Sequence, residues 1–260
     1  MSDHEGIWIE VGDGVARVVL DHQPSRNSLD LATIDHLIAV FDALGSRSDA
    51  DVIVLGHEGP AFSAGHDLRE MTDRDLAFYE ELFDRCTVLM QTLHTLPQPV
   101  IARVDGVATA AGCQLVASCD LVVASDRSTF ATPGVRIGLF CSTPMVALSR
   151  SIGAKRALQM LLTGEPVDAA TAADWGLVNT VVAPDALIPT VDELTRQLRQ
   201  FSPHTIGLGK RAFYEQIELS ESAAYDHTRD VMSRNAADPV AAEGIRAFLD
   251  KRDPAWPPPS

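Results

Sequence analysis

The sequence is poor in several things at once. It has four cysteines in 260 residues, Cys86, Cys113, Cys119 and Cys141, and no Cys-x-x-Cys pair. That excludes a disulfide scaffold and predicts a reduced chain, read here as cytoplasmic. Positive charge is scarce: 21 Lys and Arg stand against 36 Asp and Glu, a net charge of −15. A surface of that sign does not track nucleic-acid phosphates or adhere to acidic lipid, so neither is expected as a partner. Long apolar runs are missing too. The longest stretch without a charge, between Arg85 and Arg103, contains His94, Pro97, Gln98 and Pro99 and reads as a helix and a turn, not a membrane span. The start, Met1-Ser2-Asp3-His4-Glu5, is acidic and has no basic-then-apolar leader pattern.

Familiar catalytic signatures are equally absent. No Gly-x-Gly-x-x-Gly follows an early strand, Phe62-Ser63-Ala64-Gly65 is not a Gly-x-Ser-x-Gly elbow, and the eight histidines form no His-x-x-His or His-Glu-x-x-His. Dinucleotide, serine-hydrolase and metal chemistry are therefore set aside. No internal repeat or low-complexity linker is visible. What remains, 46% hydrophobic and 22% charged, fits one large globular domain or one domain with a small appendage.

The pattern predicts a hairpin first, Ile7–Glu10 and Val15–Leu20 around Gly12-Asp13-Gly14. A helix over 31–44 and a β-branched strand over 51–55 follow, the strand ending at Gly56. A long helix over 75–96 is stopped by Pro97 and Pro99, and a strand covers 100–104. A helix over 114–119, strands over 121–124 and 129–131, and helices over 142–149 and 154–162 come next. Amphipathic helices fill roughly 185–255. Strands alternating with crossover helices give an α/β class. Two glycine-containing turns, at Gly65 and at Gly106 to Gly112, lie after strands. Backbone N–H groups converging at strand ends and helix starts are suited to an oxyanion, although small residues also serve close packing.

An ordered set of segments resembles the enoyl-CoA hydratase/isomerase (crotonase) family. It comprises Asn27-Ser28-Leu29, Phe62-Ser63-Ala64-Gly65-His66-Asp67-Leu68 and Asp105-Gly106-Val107-Ala108-Thr109-Ala110-Ala111-Gly112-Cys113-Gln114-Leu115. It continues through Cys119-Asp120, Phe130-Ala131-Thr132-Pro133, Leu162-Thr163-Gly164, Gly176-Leu177-Val178 and Glu243 to Arg252, spanning about residues 7–256. The resemblance implies a spiral of ββα units with a C-terminal helical trimerisation region. It divides the chain into a core over 1–195, an assembly region over 196–256 and a tail over 257–260. It also implies a coenzyme A thioester as substrate or ligand, no permanently bound cofactor or metal, and self-association as a trimer or dimer of trimers.

The same resemblance places an oxyanion hole on the N–H groups of Ala64 and Ala111, with Ala110-Ala111 where the family usually has glycines. The two glutamates that handle water and proton in typical hydratases fall on Gln114 and Gly134. Gln has no titratable proton and Gly no side chain, so standard hydration is not expected. His66 is the replacement acid–base candidate, the alternative being a side chain that lines the pocket or hydrogen-bonds backbone. Asp67 reads as a cap on the turn at Leu68, and Glu70 as a solvated residue. The CoA end is assigned to Arg26, Ser28, Arg69, Phe248 and Lys251, with Ala64, His66, Asp67 and Leu68 beside the thioester. Arg136 could meet a polar acyl group. Gly65-His66-Asp67 also resembles an acyl-CoA decarboxylase branch, but the tyrosine of that branch falls near Phe140-Cys141. The expectation is an acyl-CoA enzyme with unusual proton handling; the alternatives are an acyl-CoA decarboxylase or a non-catalytic acyl-CoA-binding protein.

Overall fold

The computed structural model describes residues 6–257. The acidic start, Met1 to Glu5, and most of the expected tail, 258–260, lie outside them. The chain opens with the predicted hairpin, β1 (Ile7–Gly12) and β2 (Gly14–Leu20), and α1 (Leu31–Gly45) follows. The Asp30 carboxylate caps α1 by accepting from the Thr33 N–H. Next come β3 (Ala50–His57), β4 (Ala61–Ser63) and α2 (Leu76–Thr95), the last capped by Asp75. Then follow β5 (Val100–Val104), β6 (Val107–Thr109), α3 (Ala111–Ser118), β7 (Leu121–Ser125), β8 (Thr129–Ala131), α4 (Pro144–Ser151) and α5 (Ala154–Thr163). β9 (Val167–Asp168), α6 (Ala169–Trp175) and β10 (Thr180–Val182) complete the core. The chain ends in α7 (Leu187–Leu198), α8 (Pro203–Gln216), α9 (Glu221–Ala236) and α10 (Pro239–Asp250).

The strands form two sheets. Six run in the order β1-β2-β3-β5-β7-β10, parallel after the first hairpin, and four in the order β4-β6-β8-β9. Successive strands therefore alternate between sheets: β3 then β4, β5 then β6, β7 then β8. That alternation makes the repeated ββα turn of a spiral, and it stacks β4, β6 and β8 in parallel at one edge. The main core lies between the larger sheet, α1, α2 and α3 and includes Phe41, Leu55, Phe62, Leu89, Leu115 and Phe130. On the other sheet face, Leu187 and Val191 of α7 pack on Val15, Val52, Val54, Ile101 and Val123.

Three readings change. β3 runs on through Gly56 to His57, where the Arg103 side chain crosses so close that a Cβ on Gly56 would lie 2.7 Å from its Nε. The third helix starts at Ala111, not at 114. Segment 107–109, read as a small-residue link, is strand β6, and β4 was likewise not foreseen. Among the described residues no helix is long and apolar enough to cross a membrane.

Candidate functional site

β4 and β6 pair in parallel, Ala61 with Val107 and Ser63 with Ala108, so their carboxyl ends lie side by side. The turn 64–66 leaves the first, and Ala110 leads from the second into α3. Gly65 has φ +85°, open to glycine, and a Cβ there would stand 2.9 Å from Ala110 Cβ and 3.1 Å from the Ala111 nitrogen. A Cβ on Gly112 would fall 2.4 Å from the Ser63 carbonyl oxygen. Glycine at both positions thus lets the two turns touch.

Tracing each N–H in these turns corrects one expectation. The Ala64 N–H donates to the Arg26 carbonyl at 3.0 Å, and the Gly65 N–H to Ser63 Oγ at 3.1 Å. Ala64 is therefore not a free donor. His66 forms an isolated parallel bridge with Leu29, in which the Leu29 N–H donates to the Gly65 carbonyl at 2.8 Å. In that pattern the residues flanking His66 make the bonds, so its own N–H points away from Leu29, to the side where β6 and α3 lie. Ala111 is the first residue of α3, and its N–H has no partner within the helix. His66 and Ala111 stand on the two turns that meet at this corner.

They open on a cavity of about 430 Å³. Its walls are mostly apolar, with Leu68, Met71, Phe83, Ile137, Leu139 and Phe140 around the two turns, and no Asp or Glu lines it. Arg136 lines it too, but its guanidinium pairs with Glu165. The Cys141 thiol is pushed up by burial. His66 Nδ1 lies 3.2 Å from the Leu29 carbonyl, an acceptor, so Nδ1 carries the proton and Nε2 the lone pair. Nε2 is sealed and without a partner, and the ring meets Phe83 edge-on at 5.5 Å. Burial lowers the His66 pKa, which keeps the imidazole neutral at pH 7.

The other expected residues divide. Gly134 lines the cavity, but a Cβ there would lie 2.0 Å from the Leu139 carbonyl oxygen and 2.8 Å from Cys141 Sγ. Gln114, only 4% exposed, lines a neighbouring cavity of about 630 Å³ instead, where its buried Oε1 has no partner. Asp67 accepts from the Arg69 N–H at 2.9 Å and pairs with its guanidinium, which lowers the Asp67 pKa; it secures the turn as expected. Glu70 is not merely solvated: it accepts the Leu31 N–H at 3.1 Å and holds the start of α1. Arg26 is exposed at φ 56°, and the neighbouring Ser28 N–H donates to Ser25 Oγ. Phe248, 83% exposed on α10, and Lys251, its C-cap, do not line the cavity of their own chain.

Residues 10–258 match the enoyl-CoA hydratase/isomerase family. The chain belongs to that family. It is 45% identical over 247 residues to human enoyl-CoA hydratase domain-containing protein 3, mitochondrial, covering 94% of this chain and 82% of the relative. It is 32% identical to the 2,3-dehydroadipyl-CoA hydratase of Escherichia coli K12, covering 92% of this chain and 94% of that one. The crystal structure of a Mycobacterium smegmatis enoyl-CoA hydratase superposes with a TM-score of 0.95 at 44% identity, covering 97% of this chain and 99% of that chain. As an enoyl-CoA hydratase/isomerase family member, the chain is an enzyme of the acyl-CoA thioester class with the crotonase-like α/β spiral. One expectation is overturned. Relatives from mouse, rat, frog, human and zebrafish, 43–46% identical, are named as mitochondrial proteins, which contradicts the cytoplasmic reading. Reduced thiols and acidic charge do not tell one reducing compartment from another.

Proposed function

We propose that this family member holds the carbonyl oxygen of an acyl-CoA thioester between the N–H groups of His66 and Ala111. Negative charge built on that oxygen, as the α-carbon gives up a proton, is then stabilised by donors already in place in a water-poor site. What supports the reading is the cavity: its lining includes both His66 and Ala111, the first residue of α3, and no carboxylate. Water addition through two glutamates is not the reaction we assign, because Gly134 has no side chain and Gln114 faces another cavity.

Of the lining side chains, His66 alone is an imidazole, held neutral by burial with its lone pair on Nε2. We assign it as the acceptor of the α-proton, with the electron pair of the broken C–H bond passing into the enolate. The test is deuterium exchange at the α-carbon of butyryl-CoA in D₂O, read by mass spectrometry. Exchange is expected in the native protein and not in His66→Ala, which keeps the backbone donor and removes the imidazole. A second reading, an acyl-CoA-binding protein without turnover, is favoured by one feature, the sealed position of Nε2. Tight acyl-CoA binding with no exchange in the native protein is its signature.

Arg26, Arg69 and Lys251 are assigned to the CoA phosphates. Phe248 and Lys251, remote from their own chain's cavity, would serve that of a neighbouring subunit in a trimer or dimer of trimers.

A further inference from the structure

Ala110 is the cavity residue whose role the reading above leaves open. It stands at φ 52° and ψ −120° just before α3, a conformation glycine adopts freely and an L side chain adopts only under strain. The strained turn is pinned at both ends. The Ala110 N–H donates to the Ala131 carbonyl at 2.9 Å, and the Ala110 carbonyl accepts the Gln114 N–H at 3.0 Å. On one side the methyl faces Gly65, where a Cβ would come within 2.9 Å of it. The methyl therefore cannot swing out of the cavity wall it lines.

Its place relative to the ligand follows from covalent geometry. The Ala110 Cβ and the Ala111 nitrogen are about 3 Å apart, fixed by two bonds and a peptide link. An oxygen held by the Ala111 N–H, and the carbon skeleton attached to it, lies within van der Waals reach of the methyl. We infer that Ala110 selects the acyl group: its methyl fills the space beside the α-carbon, so the site takes CoA thioesters with an unbranched CH₂ there and turns away α-branched ones. This rests on the two-donor reading of the site.

Calorimetric titration with CoA, butyryl-CoA and isobutyryl-CoA tests it. The two thioesters are isomers, alike in charge and composition and different in α-branching. The native protein is expected to bind butyryl-CoA about tenfold or more tightly than isobutyryl-CoA, the scale of overpacking one methyl into a tight site. In Ala110→Gly the ratio is expected to fall within about twofold, with Tm raised by about 2–4 °C as the strain is released. Equal binding of the isomers by the native protein, or an unchanged ratio in Ala110→Gly, overturns the inference. Should the variant not fold, the native ratio alone still decides against it when it is near one. CoA binding as tightly as both thioesters overturns the two-donor reading itself, a different outcome from loss of isomer selectivity.

Discussion

Gly134 lines the cavity, and the Leu139 carbonyl fills the position a Cβ there would take. The obstacle to a side chain here is close approach. Gly134→Ala is therefore expected to destabilise by about 1–3 kcal/mol, and Gly134→Glu by more, read as loss of Tm by circular dichroism. An unchanged Tm for Gly134→Ala would show that the segment 134–141 yields. His57 makes a second case. Buried, with Nε2 accepting the Asp105 N–H at 2.9 Å, its pKa is pushed down to about 4, mainly by burial. Between pH 6.5 and about 4 the unfolded chain binds a proton that the folded chain does not, so stability falls as pH drops through that window, by about 3 kcal/mol. Urea unfolding across this range should show a shallower loss in His57→Gln; an identical slope contradicts the assignment. At this scale the turn role of Asp67 was legible, because residue type alone carries it. The bonded state of the Ala64 N–H was not, because it depends on where Arg26 runs in space.

Elements long enough to show a period were read well from sequence, α1 and α2 nearly to the residue, whereas β4 and β6, three residues each, carry no period to read. Yet those two strands set the site, since their parallel pairing brings the two turns together. Helix α8 is fastened to this frame by a buried ion pair. Lys210 of α8, its side chain 6% exposed, pairs with Asp120 at 2.6 Å and donates to the carbonyls of Leu93 and Gln98. Asp120 also accepts from Tyr214 and from the Val100 N–H, so β5 and α8 share one carboxylate, and Lys210 ties α2 to it through the Leu93 carbonyl. Lys210→Met strands a buried anion and should cost about 3–5 kcal/mol. Hydrogen exchange should then rise first in α8 and around 93–99; uniform exchange across the chain would show that the pair does not hold the junction.

At the scale of the whole molecule, apolar side chains stand exposed on the last two helices. Tyr225 and Met232 of α9 and Phe248 and Leu249 of α10 are exposed apolar side chains on the outermost helices. Sedimentation at micromolar concentration is expected to give a trimer or hexamer, and Phe248→Glu a smaller species; a native monomer contradicts this. The family was legible from ordered motifs across the chain, while the cellular compartment was not, because charge and thiol content do not encode it. We propose that the site polarises a thioester but lacks the carboxylate pair through which a two-glutamate hydratase activates water. The most direct test is the turnover of a short trans-2-enoyl-CoA, followed by mass beside an ordinary two-glutamate hydratase. Loss of general acid–base catalysis predicts hydration slower by ~10²–10⁴-fold. Turnover equal to that of the two-glutamate enzyme would contradict the account.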